Sequence, residues 1–289
     1  MSTFVNEYKF VNDNVMLNKR YTLNKKIGEG GLSNVYDVDD IYSQYFKDTR
    51  KLVIKIPSPE IAKKKDVSAF VYSEYSLLSS LHHENIVKVV DFGIDEESDI
   101  PYLIMQKLEG DLLVNIALHK IDMKMKYNLT SSLYKAISYL HSKGIVHADI
   151  NPTNIMMLPD GNAQLFDFGI SQNIENKKTF NLSNEKNKAY NPFYTAPEIL
   201  EGAAPSYKSD LFSLACILYE LYTGKLPFEN SSCELELKPL DRKNLIKIPL
   251  IQRVWFKKML SYDPNHRPEK IPLFIRLQAY KNKCFFHSI

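Results

Sequence analysis

The hydrophobic rhythm of this chain changes once, and that change limits the architectures open to it. Up to about residue 105 the apolar residues come in short β-branched and aromatic runs; beyond Gly110 they recur at helical spacing. Tyr21-Thr-Leu leads into a glycine cluster, Val35-Tyr-Asp-Val follows, and Leu52-Val-Ile-Lys-Ile comes after a polar stretch, which predicts three strands. Pro57 and Pro59 end the third. Residues 60–81 carry Phe70, Leu77, Leu78 and Leu81 at helical spacing, with Lys63-Lys-Lys as a solvated start, and 86–93 and 102–105 predict two more strands. In the second half, 123–142 presents Leu129, Leu133, Ile137 and Leu140 on one side, with Gly144 as a C-cap signal. The almost wholly apolar run 211–222, closed by Gly224 with Pro227 beyond, predicts a buried helix; 254–261 and 273–281 are later candidates. The expectation is an α+β, bilobal chain with a five-stranded small lobe, a helical large lobe and a cleft between them.

Composition agrees with one domain in two lobes: 289 residues, 44% hydrophobic and 25% charged, enough to bury a core without disulfides or a structural metal. A net charge of +3 is too small to argue for nucleic acid or a membrane surface, and no zinc spacing, basic helix or aromatic RNA motif supports a nucleic-acid partner. Cys216, Cys233 and Cys284 are sparse and odd in number, which suits buried thiols in a reducing compartment. Polar residues interrupt 1–20, so no signal peptide is read there, and no run approaches the ~20 apolar residues of a membrane span. The expected setting is the cytoplasm, with nucleus or a host cell left open. There is no internal repeat or low-complexity block.

Several pieces of the chain are bland singly. Gly28-Glu29-Gly30-Gly31-Leu-Ser33-Asn-Val35 lies between two predicted strands; such clusters mostly make turns, although glycines also let backbone N–H groups approach phosphates. No Lys-Ser/Thr follows and the next element is a strand, so this is not a P-loop opening a helix. Lys55 ends a β-branched strand, where a lone lysine usually snorkels, and Glu74 lies in the next helix, where a lone glutamate is usually solvated. Then come His147-Ala-Asp149-Ile-Asn151-Pro-Thr-Asn154, Asp167-Phe168-Gly169 and Ala196-Pro197-Glu198. All of them in this order are very improbable by chance.

The series resembles the signature set of the eukaryotic protein kinase family over about residues 21–280. The resemblance implies an N-terminal extension 1–20 packing on the small lobe, then a kinase domain 21–289 with lobes at about 21–105 and 111–289 and a hinge at about 106–110. It implies ATP with Mg²⁺, or Mn²⁺, and a protein substrate. Gly28, Glu29, Gly30, Gly31, Val35, Val53, Lys55, Glu74, Met105 as gatekeeper, Gln106, Leu108, Asp111 and Met156 are the implied nucleotide set. Asp149 is the implied catalytic base, with Lys55 and Asn151 beside it, and Asn154 and Asp167 the implied metal ligands. Asp111 reads equally well as a ribose contact and as an N-cap for the helix after it. Asp210 resembles the aspartate that braces the catalytic loop, and Arg267 the buried partner of Glu198.

Four positions depart from the family pattern. Ser33 replaces the third loop glycine. Ala148 stands where many relatives have arginine, a non-RD pattern implying that activity does not depend on a phosphate in the activation segment, where Thr179 and Ser183 lie. Asn151 replaces the lysine that neutralises the γ-phosphate, and losing that charge unreplaced would cost several kcal/mol. Asn191 replaces a threonine usual in serine/threonine kinases, while the tyrosine-kinase loop pattern is also absent. Two other readings stand beside a serine/threonine kinase: a pseudokinase serving as an ATP-binding scaffold or regulator, drawing on Ala148 and Asn151, and a small-molecule phosphotransferase of the same fold, opposed by Ala196-Pro-Glu198, Asp210 and Arg267. Control is expected from the core itself or from a regulatory protein partner.

Overall fold

Alternation of apolar and polar residues along the first hundred positions produces an antiparallel sheet. The computed structural model describes residues 15–175, 190–233, 244 and 246–272. Most of 1–20, Thr179, Ser183, the helix expected at 273–281 and Cys284 lie outside the described residues. The chain forms two compact units, one of 15–82 with 87–107, the other of 83–86 with the described residues from 108 onward except those of the first.

The first unit holds β1 (Met16–Leu17), β2 (Tyr21–Glu29), β3 (Ser33–Asp40), α1 (Ile41–Phe46), β4 (Leu52–Pro57), α2 (Pro59–Ala62), α3 (Val67–Ser79), β5 (Val89–Ile94) and β6 (Pro101–Gln106). Its sheet has the order β1-β2-β3-β4-β6-β5. Six strands replace the expected five, because Met16 and Leu17 pair with Thr22 and Tyr21. The polar stretch after β3 conceals α1, started by the Asp40 side chain accepting from the Tyr42 N–H at 3.0 Å. β4 is buried at every position, as a central strand covered on both faces must be. One face carries Tyr36, Val38, Leu52, Ile54, Ile56 and Ile104; Leu103 packs with Val67, Phe70 and Val71 of α3.

Two side chains just before β2 secure the sheet's border. Asn18, at φ 47°, receives no penalty it cannot offset, since its amide donates to the Ile94 carbonyl at 2.9 Å and the Tyr102 hydroxyl at 3.0 Å. Its backbone N–H reaches Asp95 at 2.8 Å. Arg20 forks onto Asp40 at 3.0 and 2.9 Å and reaches Asp91 at 3.2 Å.

The second unit is mainly helical: β7 (Asp111–Leu112), α4 (Met123–Ser142), β8 (Ile145–Val146), β9 (Ile155–Met157), β10 (Ala163–Leu165), β11 (Gln172–Asn173), α5 (Pro197–Leu200), α6 (Tyr207–Thr223) and α7 (Leu250–Met259). Asp122 caps α4 through the Met125 N–H at 2.8 Å, and Leu129, Leu133, Ile137 and Leu140 are buried as expected. α6 opens with Ser206 and Ser209 capping one another and ends at Gly224 with φ 74°. Every side chain from Ser209 to Tyr219 is buried, so α6 is the core helix against which α4 and α7 pack. The six-stranded sheet thus lies in one unit and the long helices α4 and α6 in the other, the α+β class expected.

Candidate active site

In the first unit four of the expected nucleotide residues, Val35, Val53, Lys55 and Met105, lie on one face of the sheet. Val35 pairs directly with Lys55, and Val53 with Met105, while Val53 and Lys55 are two residues apart on β4. Directly opposed residues share a face, as do residues i and i+2, so all four side chains stand together. Lys55 is buried there, and its Nζ donates to both oxygens of Glu74 on α3, at 2.7 and 2.8 Å. A buried ammonium and carboxylate are each costly alone, and bidentate pairing is what makes the position tenable. Gln106 is exposed and donates its N–H to the Lys88 carbonyl at 2.9 Å.

The β2–β3 turn closes where the Gly30 N–H meets the Ser33 carbonyl at 2.9 Å, and Glu29 pairs with Asn34. A Cβ at Gly28 or Gly30 would meet nothing nearer than 3.5 Å, one at Gly31 nothing within 4 Å, and none of the three has positive φ. The fold itself therefore does not require glycine there. A loop stripped of side chains without internal need fits an anion that must approach its backbone.

In the second unit one carboxylate shapes the loop after β8. Asp210, at the start of α6 and 1% exposed, accepts from the His147 N–H at 2.9 Å, the Ala148 N–H at 3.0 Å and His141 Nε2 at 3.0 Å. Those bonds hold Ala148 in the left-handed region at φ 69°, strained for a residue with a Cβ. The Ser171 hydroxyl donates to the His147 carbonyl at 2.8 Å, and β11 pairs with β8, so the chain after Asp167-Phe168-Gly169 returns to the same loop. Buried Phe168 meets the His147 ring edge-on at 4.7 Å.

Asp149 follows. Its Oδ1 accepts from Asn151 Nδ2 at 2.8 Å and its Oδ2 from Asn154 Nδ2 at 2.8 Å. Burial raises the Asp149 carboxyl above the ordinary carboxylate range, against the pull of His147 and these amides. Burial lowers the His147 imidazole, and Nδ1 accepts the Asp149 N–H at 3.3 Å while Nε2 faces the Phe166 carbonyl at 3.3 Å. Asn154, with its Nδ2 engaged, has a carbonyl oxygen that the Thr153 hydroxyl approaches at 3.4 Å, and Asp167, at φ 61°, brings a carboxylate whose Oδ1 accepts the Gly169 N–H at 3.3 Å. No group of three or more His, Cys, Asp or Glu gathers for a metal among the described residues. An amide and a carboxylate oxygen fit Mg²⁺, a hard cation that takes few protein ligands and brings others with it.

Asp111 lies exposed in β7, paired with Met157, and Leu112 pairs with Met156. It does not cap the following turn, whose N-cap is Leu112 without a side-chain bond; strand pairing to β9 takes the backbone instead. Leu108 is half-buried in the same unit. Asn191 uses its carboxamide locally, accepting the Phe193 N–H at 3.0 Å. Glu198 and Arg267 are paired, at 2.7 and 2.8 Å.

Sequence reasoning missed His141, Tyr190 and Gly110. His141 is signalled only by its place in the last turn of α4. The Tyr190 phenol is pushed up by burial and by the charge of Asp149. Gly110 is obligatory: a Cβ there would lie 2.2 Å from the Met157 carbonyl oxygen.

A family model described as a protein kinase domain matches residues 21–276. The chain is 32% identical over 262 residues to serine/threonine-protein kinase PrkC of Bacillus subtilis, covering 86% of this chain and 38% of that protein. It is 28% identical over 261 residues to a probable serine/threonine-protein kinase of Clostridium perfringens, covering 87% and 37%. A probable PknB of Corynebacterium glutamicum is 29% identical over 217 residues, covering 74% and 33%. The chain thus spans between 33% and 38% of the length of these relatives. Sequence order, the buried Lys55–Glu74 pair, the Glu198–Arg267 pair and a family match running nearly end to end agree on one assignment: the chain belongs to the protein kinase family.

Proposed function

We propose that this chain transfers the γ-phosphoryl group of ATP to serine or threonine of protein substrates. The observation that carries the reading is Asp149: a half-buried carboxylate with both oxygens fixed by amide donors, in a loop pinned by Asp210. Phosphoryl transfer asks a protein chiefly for positioning and charge neutralisation. Lys55, steadied by Glu74, would hold α- and β-phosphate oxygens, and the bare glycine turn would offer backbone N–H groups. Asn154 and Asp167 would offer oxygens to Mg²⁺ or Mn²⁺. Bound ATP with its metal supplies the activated phosphoryl group. Asp149 would orient the substrate hydroxyl and take its proton, a task helped by a carboxyl whose affinity for a proton burial has raised.

Ala148 supports a non-RD kinase that works without an activation-segment phosphate. The presence of Lys55, Glu74, Asp149, Asn154 and Asp167 together argues against a scaffold without transfer. No helix among the described residues is long and apolar enough to cross a membrane. The test is transfer of radiolabelled γ-phosphate to casein and to the chain itself, beside a panel of amino-alcohols and an Asp149→Ala variant. Label on serine or threonine that disappears in Asp149→Ala supports the proposal. ATP binding without transfer, or label on the amino-alcohols alone, overturns it.

A further inference from the structure

Asn151 stands where the family's lysine would bring a charge, yet its carboxamide is engaged at both ends inside the loop. Nδ2 donates to Asp149 Oδ1 at 2.8 Å, and Oδ1 accepts the Thr153 backbone N–H at 2.8 Å as well as the Thr153 hydroxyl. A carboxamide has one donor end and one acceptor end; the Thr153 backbone N–H can only donate, so it decides which way the group faces, and the Thr153 hydroxyl, which also reaches Asn154 Oδ1 at 3.4 Å, adds a second bond. Turned over, its NH₂ would confront the Thr153 N–H and leave Asp149 Oδ1 without this partner. Asn151 is 5% exposed, which keeps water from replacing either bond cheaply. Asn154 holds the other carboxylate oxygen and the Asp149 carbonyl, at 2.8 and 2.9 Å.

We propose that Asn151 is a positioning residue for Asp149, locked in orientation by Thr153, and is not a neutral substitute for lysine toward phosphate. The inference rests on the kinase reading above. A lysine at 151 would bring three donors and no acceptor, so Thr153 would lose its acceptor and Asp149 its aligned amide. Thr153 acts one step back, through Asn151.

The test measures steady-state transfer to casein by the full chain and by Asn151→Ala, Thr153→Val, Thr153→Ser, Asn151→Lys and the Asn151→Ala/Thr153→Val double variant. It adds calorimetric affinity for Mg²⁺–ATP and the side-chain amide NMR signals of Asn151. Asn151→Ala and Thr153→Val should each lower kcat by roughly ten- to a hundredfold, the scale of a misaimed catalytic group, with ATP affinity unchanged. The double variant should be no worse than the singles, Thr153→Ser should restore the rate, and Asn151→Lys should fall below wild type. The Asn151 amide protons should be exchange-protected in the wild type and lose protection in Thr153→Val. A gain of rate in Asn151→Lys would overturn the proposal, as would weakened ATP binding in Asn151→Ala with Thr153→Val unaffected. Should the wild type transfer nothing, the kinase reading fails, and the amide signals still decide the lock: unprotected protons overturn it.

Discussion

Arg267 and Glu198 form a two-pronged ion pair, Nη1 to Oε1 at 2.7 Å and Nη2 to Oε2 at 2.8 Å, with the arginine side chain fully buried. Arg267 also donates to the Ser261 and Tyr262 carbonyls, at 2.7 and 2.8 Å, and its guanidinium lies 4.6 Å from the Phe212 ring centroid. Arg267→Ala strips all of these at once, so denaturant unfolding should show a loss of about 3–5 kcal/mol. Arg267→Lys should recover less than half, because an ammonium cannot reproduce the fork. A loss below about 1 kcal/mol in Arg267→Ala would mean the pair is merely ornamental.

Lys55 and Glu74 should separate stability from activity. Lys55→Met removes the buried cation that donates to both Glu74 oxygens and should cost about 3–5 kcal/mol along with transfer. Lys55→Met combined with Glu74→Leu should regain most of the stability and none of the activity. Thermal melts beside the casein assay check both; a double variant as unstable as the single would contradict the account.

Glycine replacements should divide by location. Gly31→Ala meets open space and Gly30→Ala only an ordinary contact with the Ser33 carbonyl at 3.5 Å, so melting should be unchanged or slightly raised, while ATP affinity falls if phosphates sit against that turn. Gly110→Ala drives a Cβ onto the Met157 carbonyl and should lower the melting temperature by several degrees. Isothermal ATP titration and melting curves on the same samples would distinguish these behaviours.

Acid should weaken the fold through His147. The fold keeps this imidazole neutral because burial lowers its pKa, with Asp210, Asp149 and Asp167 pulling the other way. Below about 6.5 the unfolded chain takes up a proton that the folded chain refuses. The stabilising effect is complete above that pH and is lost as pH falls. Melting temperature should be lower at pH 5.5 than at pH 7.5, and His147→Phe should flatten the difference though not abolish it, since His83 is shifted the same way by burial. An unaltered slope in His147→Phe would remove His147 from the explanation.

Strands and long helices were legible because their apolar residues recur at fixed periods, as in β4 and α4. The Lys55–Glu74 and Glu198–Arg267 partnerships were legible only through family resemblance, since nothing local in the sequence announces contacts across 19 or 69 positions. Helix α1 was hidden by its polar surroundings and its shortness. The N-cap reading of Asp111 failed because pairing with β9 outweighs a local cap. Asn151 looked like a missing charge because residue type shows what a side chain can offer but not where it points.

The border strand Met16–Leu17 and the hooks at Asn18 and Arg20 have a practical consequence for anyone trimming this chain. A fragment begun at Tyr21, where the long strand and the family match both start, would discard three fasteners at once. The hairpin tip near Asp95 would come unhooked, and Asp40 and Asp91 would face each other's charge without a mediator. The safe cut lies no later than Val15, whose carbonyl still receives the Leu23 N–H at 2.8 Å.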